Sequence, residues 1–409
     1  MIPGNDEVMI GRAEELCGTP NPLAAEYSRF RVADRLLLTG HSHQAWPDRG
    51  FVGQQRAWLD AAELADEKWD RAFAKADRVR AGYGRLLGDE PDRIALAQNT
   101  HELVLRFLSA LPLRERPRVV TTDGEFHTIR RQLDRLDEEG LEVVKVPAHP
   151  AAGVGERLVS EIDDRAAAVL VSSVFFQTGH IAGGIGEVML ACGLHGAELL
   201  VDAYHSLNVV PFQLADEGVQ DAFVVGGGYK YCQLGEGNCF LRVPAGREEM
   251  RPVVTGWFSE FSALEVPGAG GPVAYGRGPD RFAGSTYDPT SHYRAAEVFD
   301  CFEEWGLTPE LLREVSRHQV GLLAERFDAL DADPAIIDRD RSLDLADIGG
   351  FLALRTPHAA EICAALRERG VHTDYREDLL RLGPAPYLSQ SQLIRAADAL
   401  AEVLSGMPA

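Results

Sequence analysis

A chain of 409 residues with 45% hydrophobic content can bury a large core, and its length fits two domains rather than one. The formal net charge of −22 at pH 7 provides no broad basic field, so nucleic acid and anionic membrane are poor partners and a small molecule is the better one. The six cysteines, at 17, 192, 232, 239, 301 and 363, form no CxxC pair and no metal-ligand spacing; no metal is expected, and they read as reduced core thiols of a cytoplasmic protein.

Residues 1–16 are acidic and lack a basic start followed by an apolar stretch, and no apolar run reaches membrane-spanning length. From about residue 80, short β-branched runs alternate with helical stretches. The runs 118–122, 141–146, 167–174, 198–201 and 222–225 predict strands, and 127–139 and 186–196 predict helices. Such alternation predicts an α/β fold with a mostly parallel sheet covered on both faces and a ligand at the carboxyl ends of its strands. Beyond it, 238–243 reads as one more strand and 259–285, rich in Gly and Pro, as a long loop. Helical spacing returns over 292–330. A strand at 349–355, a helix at 359–370, a strand at 379–382 and a helix at 390–404 then predict a smaller α+β domain.

Two residues at predicted strand ends carry chemistry. Asp202 closes the run Glu198-Leu-Leu-Val-Asp202, and Lys230 follows Gly226-Gly-Gly-Tyr229, 28 residues later. An amine can hold a cofactor aldehyde as a Schiff base, and an acid can keep a pyridine nitrogen protonated so that the ring accepts electrons; this is the pairing pyridoxal 5'-phosphate requires. The three glycines before Tyr229 are expected to let a planar ligand approach the backbone.

The same patches carry a resemblance. The segments Leu38-Thr-Gly-His-Ser-His43, Ser172-Ser-Val-Phe-Phe-Gln-Thr-Gly-His180, Val201-Asp-Ala-Tyr-His205, Gly228-Tyr-Lys-Tyr231, Gly256-Trp-Phe258, Asp374-Tyr-Arg-Glu377 and Arg381-Leu-Gly-Pro384 resemble fold-type I pyridoxal-phosphate enzymes of the class V aminotransferase group, and within it the kynureninases. The resemblance implies an N-terminal segment (1–60) contributing to the active site and the small domain, a large cofactor-binding domain (61–290) and a small domain (291–409). It also implies a homodimer with shared sites.

It assigns Lys230 and Asp202 as catalytic. Asn99, Thr100 and His101 would hold the cofactor phosphate at a helix N-terminus, although Thr100 also reads as an ordinary N-cap. The family usually has a hydroxyl residue at position 101. Phe126 would stack on the ring, or simply pack in the core. His205 would reach the cofactor rim or orient Asp202, and Tyr229 would bond the phosphate. Trp257, Ser285 and Thr286 would reach the phosphate of the neighbouring subunit. Arg381 would take the substrate α-carboxylate through its planar fork, with Arg376 as second choice; a surface arginine is the plain alternative.

His41, Ser42 and His43 stand with Trp46 where kynureninases have a Gly-Asn-Ser-Leu-Gly type turn, and would line the substrate pocket. The implied reaction is hydrolytic Cβ–Cγ cleavage of kynurenine or a related γ-keto amino acid to alanine and an anthranilate-type acid. A class V aminotransferase, an epimerase, a C–S lyase and a non-catalytic binding protein on the same fold remain alternatives.

Overall fold

The computed structural model describes residues 5–247, 249–263 and 272–407. The strands are β1 (Leu36–Leu37), β2 (Ile94–Ala97), β3 (Arg118–Thr122), β4 (Glu142–Val146), β5 (Ala166–Ser172), β6 (Glu198–Asp202), β7 (Phe223–Gly227), β8 (Cys239–Arg242), β9 (Asp338–Arg339), β10 (Leu352–Arg355), β11 (Val371–His372), β12 (Asp374–Arg376) and β13 (Leu379–Leu382). The helices are α1 (Asn5–Leu16), α2 (Asp48–Leu64), α3 (Lys68–Leu87), α4 (Thr100–Ala110), α5 (His127–Glu138), α6 (Val154–Val159), α7 (Ile185–His195), α8 (Thr290–Trp305), α9 (Pro309–Asp328), α10 (Ala359–Glu368) and α11 (Gln390–Ser405).

The large sheet has the order β2-β8-β7-β6-β5-β3-β4. Strands β4, β3, β5, β6 and β7 run parallel, and β8 is antiparallel to both β7 and β2. Strands buried on both faces read as unbroken apolar runs rather than alternating ones, and all of Ala166–Ser172 is buried. The period of two appears in the packing instead. Val169, Val171, Leu199, Val201 and Val224 join one core cluster, while Ala168, Leu170, Leu200, Phe223 and Val225 join the cluster on the opposite face.

The C-terminal part carries an antiparallel sheet, β12-β13-β10-β9, with α9, α10 and α11. The N-terminal segment joins it: β1 pairs in parallel with β11, and α1 packs on α9. By contrast, α2 and α3 pack on α8. The helical spacing over 292–330 is carried by two helices. Gly306 ends α8 in a left-handed conformation (φ 64°), and Thr308 starts α9 by accepting a hydrogen bond from the Leu311 N–H, with Pro309 in the first turn.

The expected long loop at 259–285 is also partly built. Short 3₁₀ turns occupy Trp257–Ala263 and Gly278–Phe282, while residues 264–271 of that loop lie outside the described residues.

Candidate active site

Parallel strands that end side by side bring their following residues to one edge. Asp202 is the last residue of β6, Ser172 the last of β5 and directly beside it, and Lys230 comes three residues after β7. Phe126 follows β3, and Thr100 follows β2. These residues line one cavity of about 310 Å³ together with Asn99, His101, Tyr204, His205, Tyr229 and Cys239.

The acid, the amine and the imidazole at its centre are buried. Lys230 is 5% exposed, and burial brings its ammonium pKa down to about 7 against the opposing pull of Asp202. Burial raises the Asp202 carboxyl, while the Tyr204 N–H, 2.9 Å from Oδ1, and the charge of Lys230 work against that rise. Lys230 Nζ lies 2.5 Å from His205 Nε2. Burial, then the charge of Lys230, holds His205 well below the usual imidazole range, so it is a neutral acceptor for that amine. Its Nδ1 is buried without a partner among the described residues. The amine also sits 4.7 Å from the centroid of Tyr204, 5.2 Å from Phe126 and 5.7 Å from Tyr229.

At the α4 N-terminus the cap is Asn99, not Thr100: the Asn99 side chain accepts from the Glu102 N–H at 2.9 Å. The Thr100 side chain is thereby left to the cavity, and His101 is exposed beside it. The three glycines do not open the backbone to a ligand. A Cβ on Gly226 would meet Leu207 and Phe240, on Gly227 the Tyr204 hydroxyl and Cys239 Sγ, and on Gly228 Leu234. Their small size lets the wall of the cavity close, with the Tyr204 ring against β7.

Other expected residues are distributed around this centre. Arg381 is 2% exposed, and its fork is engaged: Nε and Nη2 donate to Asp374 at 2.9 and 2.6 Å, and Nη1 donates to the Phe176 carbonyl at 2.6 Å. Phe176 itself lines the cavity. His41 is fully buried, meets Asp374 at 2.7 Å and does not line the cavity. Ser42 Oγ lies 3.2 Å from His43 Nδ1, and the exposed His43 ring stacks on Tyr229 at 4.8 Å. Trp46 lies under Arg294, 4.4 Å from its guanidinium, away from the cavity. Arg376 is half-exposed, 3.8 Å from Asp374. Trp257 Nε1 donates to Thr286 Oγ1 at 3.2 Å, and Ser285 and Thr286 line a separate hollow next to the first.

Sequence reasoning passed over Glu125 and Tyr204. Both were accessible to it, as an acid just before Phe126 and an aromatic two residues after Asp202. Glu125, 2% exposed, accepts from Thr122 Oγ1 (2.7 Å), Ser172 Oγ (2.6 Å) and the Ser172 N–H (3.1 Å). Burial brings its pKa up to about 7 against the hydrogen bonds from Ser172 and Thr122, with Asp202 adding to the rise.

A carboxyl raised on folding makes the folded protein bind more protons than the unfolded chain, so the protein should lose stability as pH climbs from about 4.5 to 7, by up to roughly 3 kcal/mol. Glu125→Gln should flatten that slope in denaturant titrations run across the window. Glu125→Ala should cost roughly 1–3 kcal/mol for each group left unpaired.

An acid, an amine, an aromatic face, a helix N-terminus and an unpartnered buried imidazole nitrogen around one cavity form a donor set that fits pyridoxal 5'-phosphate. The architecture is that of fold-type I pyridoxal-phosphate enzymes. A lysine-to-alanine mutant of C-DES, with glycine covalently linked to its PLP cofactor, superposes with a TM-score of 0.81 over 93% of this chain and 99% of that one, at 16% identity.

In sequence, residues 312–400 match the kynureninase C-terminal domain family. The chain is similar to the kynureninase of Deinococcus radiodurans, 27% identical over 402 residues and covering 94% of each chain. It is also similar to the isopenicillin N epimerase of Streptomyces clavuligerus, 28% identical over 84% of this chain and 89% of that protein.

Proposed function

We propose that the chain is a pyridoxal-phosphate-dependent enzyme acting on an α-amino acid. Its reaction is a kynureninase-like hydrolytic Cβ–Cγ cleavage of kynurenine or a related γ-keto amino acid, giving alanine and an anthranilate-type acid. The observation that carries this reading is the cavity in which Lys230 and Asp202 stand at the ends of neighbouring parallel strands. The likeness to a kynureninase along almost the whole chain supports the reaction class.

When bound, the cofactor supplies an electron-withdrawing ring that acidifies the substrate Cα–H. Lys230 Nζ is its attachment point and the base for the Cα proton; a pKa near 7 leaves much of the amine neutral at neutral pH. Asp202, fixed through Oδ1 by the Tyr204 N–H, would hold a proton at the pyridine nitrogen. Phe126 covers a ring face, Thr100 and Tyr229 receive the phosphate, and Arg381 binds the α-carboxylate.

Trp257, Ser285 and Thr286 stand outside their own cavity, in a region where Val253, Val254 and Phe261 are also exposed. This arrangement supports a homodimer in which they serve the second copy's phosphate.

Incubation with cofactor and kynurenine, 3-hydroxykynurenine or a panel of amino acids, with products identified by mass, tests the proposal. Release of alanine together with an anthranilate is the expected outcome. Amino-group transfer or Cα inversion without chain cleavage would replace it with the aminotransferase or epimerase reading. That second reading is favoured by the epimerase relative and by the phenols of Tyr204 and Tyr229 near the amine, both kept protonated by burial. A cysteine desulfurase, which passes sulfur to a thiol of its own, is disfavoured, because all six cysteines are buried.

A further inference from the structure

The buried network behind the cavity joins three parts of the chain. Asp374 on β12 stands directly opposite Arg381 on β13. It grips the guanidinium by two parallel bonds, and the Phe176 carbonyl, from the loop after β5, holds a third N–H. A guanidinium has five N–H groups, so one remains on each terminal nitrogen, enough for a single carboxylate. Asp374 is itself held. His41, from the N-terminal segment beside β1, meets Oδ1 at 2.7 Å.

Because burial brings the His41 pKa down to about 4 against the hydrogen bond to Asp374, the ring is neutral at physiological pH. Its Nε2–H donates to the acid. Burial pushes the Asp374 carboxyl up, but the hydrogen bond from His41 and the paired Arg381 outweigh it and hold the acid well below the usual range, ionised. The ring of Phe351 closes the network on one side, 4.7 Å from the His41 ring and 5.7 Å from the Arg381 guanidinium. A Cβ on Gly383 would collide with His41 Nδ1, so the imidazole is sterically locked.

We infer that Asp374 is a positioning residue for α-carboxylate recognition, with His41 as its support: together they fix the plane and rotation of Arg381 so that its two free N–H groups meet one carboxylate. The inference rests on the proposed function. It implies that specificity for amino acids over simple amines is built into the β12–β13 pair and the N-terminal segment, rather than into the cavity wall alone.

The test uses the cofactor-loaded protein and two amines that differ only by the α-carboxylate, L-alanine and ethylamine, with binding followed by calorimetry and by the visible absorption of the cofactor. Asp374→Asn should weaken L-alanine roughly ten-fold or more and leave ethylamine within about two-fold. His41→Phe, which keeps a ring of similar size and deletes the donor, should show the same selectivity with a smaller loss, and it serves as the measurement if Asp374→Asn does not fold.

Equal losses for both amines would mean a merely structural role, and unchanged or tighter L-alanine binding would mean that Asp374 competes with the substrate; either result overturns the inference. If neither amine perturbs the cofactor of the unmodified protein, the proposed function itself falls, an outcome distinct from the other two.

Discussion

Lys230→Ala is expected to abolish cofactor attachment and to lower turnover by roughly 10³-fold or more, while the protein stays folded. The side chain lines a cavity, so shortening it enlarges existing space and collapses no packed core. The cofactor-free variant should in fact be the more stable protein. Burial lowers the folded-state pKa of this amine from 10.5 to about 7, so the unfolded chain binds the extra proton between those values.

Stability of the unmodified cofactor-free protein therefore rises with pH across that window, and below it carries a penalty of roughly a few kcal/mol. The variant lacks the penalty. Thermal melts of the two cofactor-free proteins should differ most below pH 7 and converge above pH 10.5. A variant that melts lower at every pH would mean that the hydrogen bond from the amine to His205 stabilises the fold by more than burying the amine costs.

The large domain was legible because its signals are local. Parallel strands buried on both faces are largely apolar, and 167–171 and 222–225 are so in the chain itself. An acid at the end of the run 198–202 and a lysine just after 222–225 arrive together at one edge of the sheet. Contacts across the fold were not legible. Nothing near Gly226–Gly228 tells that Leu207, Phe240, Tyr204, Cys239 and Leu234, rather than a ligand, fill the space they leave.

Nor does the turn at 40–46 announce that His41 turns inward to an acid 333 residues away while His43 stays outside on Tyr229. Arg381 was found by its sequence neighbours, but its partner Asp374 follows only from the register of β12 and β13. Glu125 escaped because a carboxylate after a strand reads as a solvated turn residue. Three donors and 2% exposure make it a buried structural acid behind Ser172.

Asp202→Asn should leave the fold and cofactor attachment in place and reduce turnover by roughly 10²- to 10⁴-fold. The amide oxygen of Asn can still accept the Tyr204 N–H that Oδ1 now accepts, so the end of β6 keeps its shape. The charge is lost, and with it the group that holds a proton on the pyridine nitrogen. Glu125 cannot take over, because both its oxygens are committed to Thr122 and Ser172.

A second consequence distinguishes this account from a general loss of structure. The negative charge of Asp202 raises the Lys230 pKa against the effect of burial, so its removal should move that pKa further below 7. Borohydride trapping of the lysine–cofactor bond, measured against pH, should then begin at lower pH in the variant than in the unmodified protein. A profile that stays where it was, or moves up, would show that acid and amine do not sense one another across the cavity, and the assignment of the pair would fail.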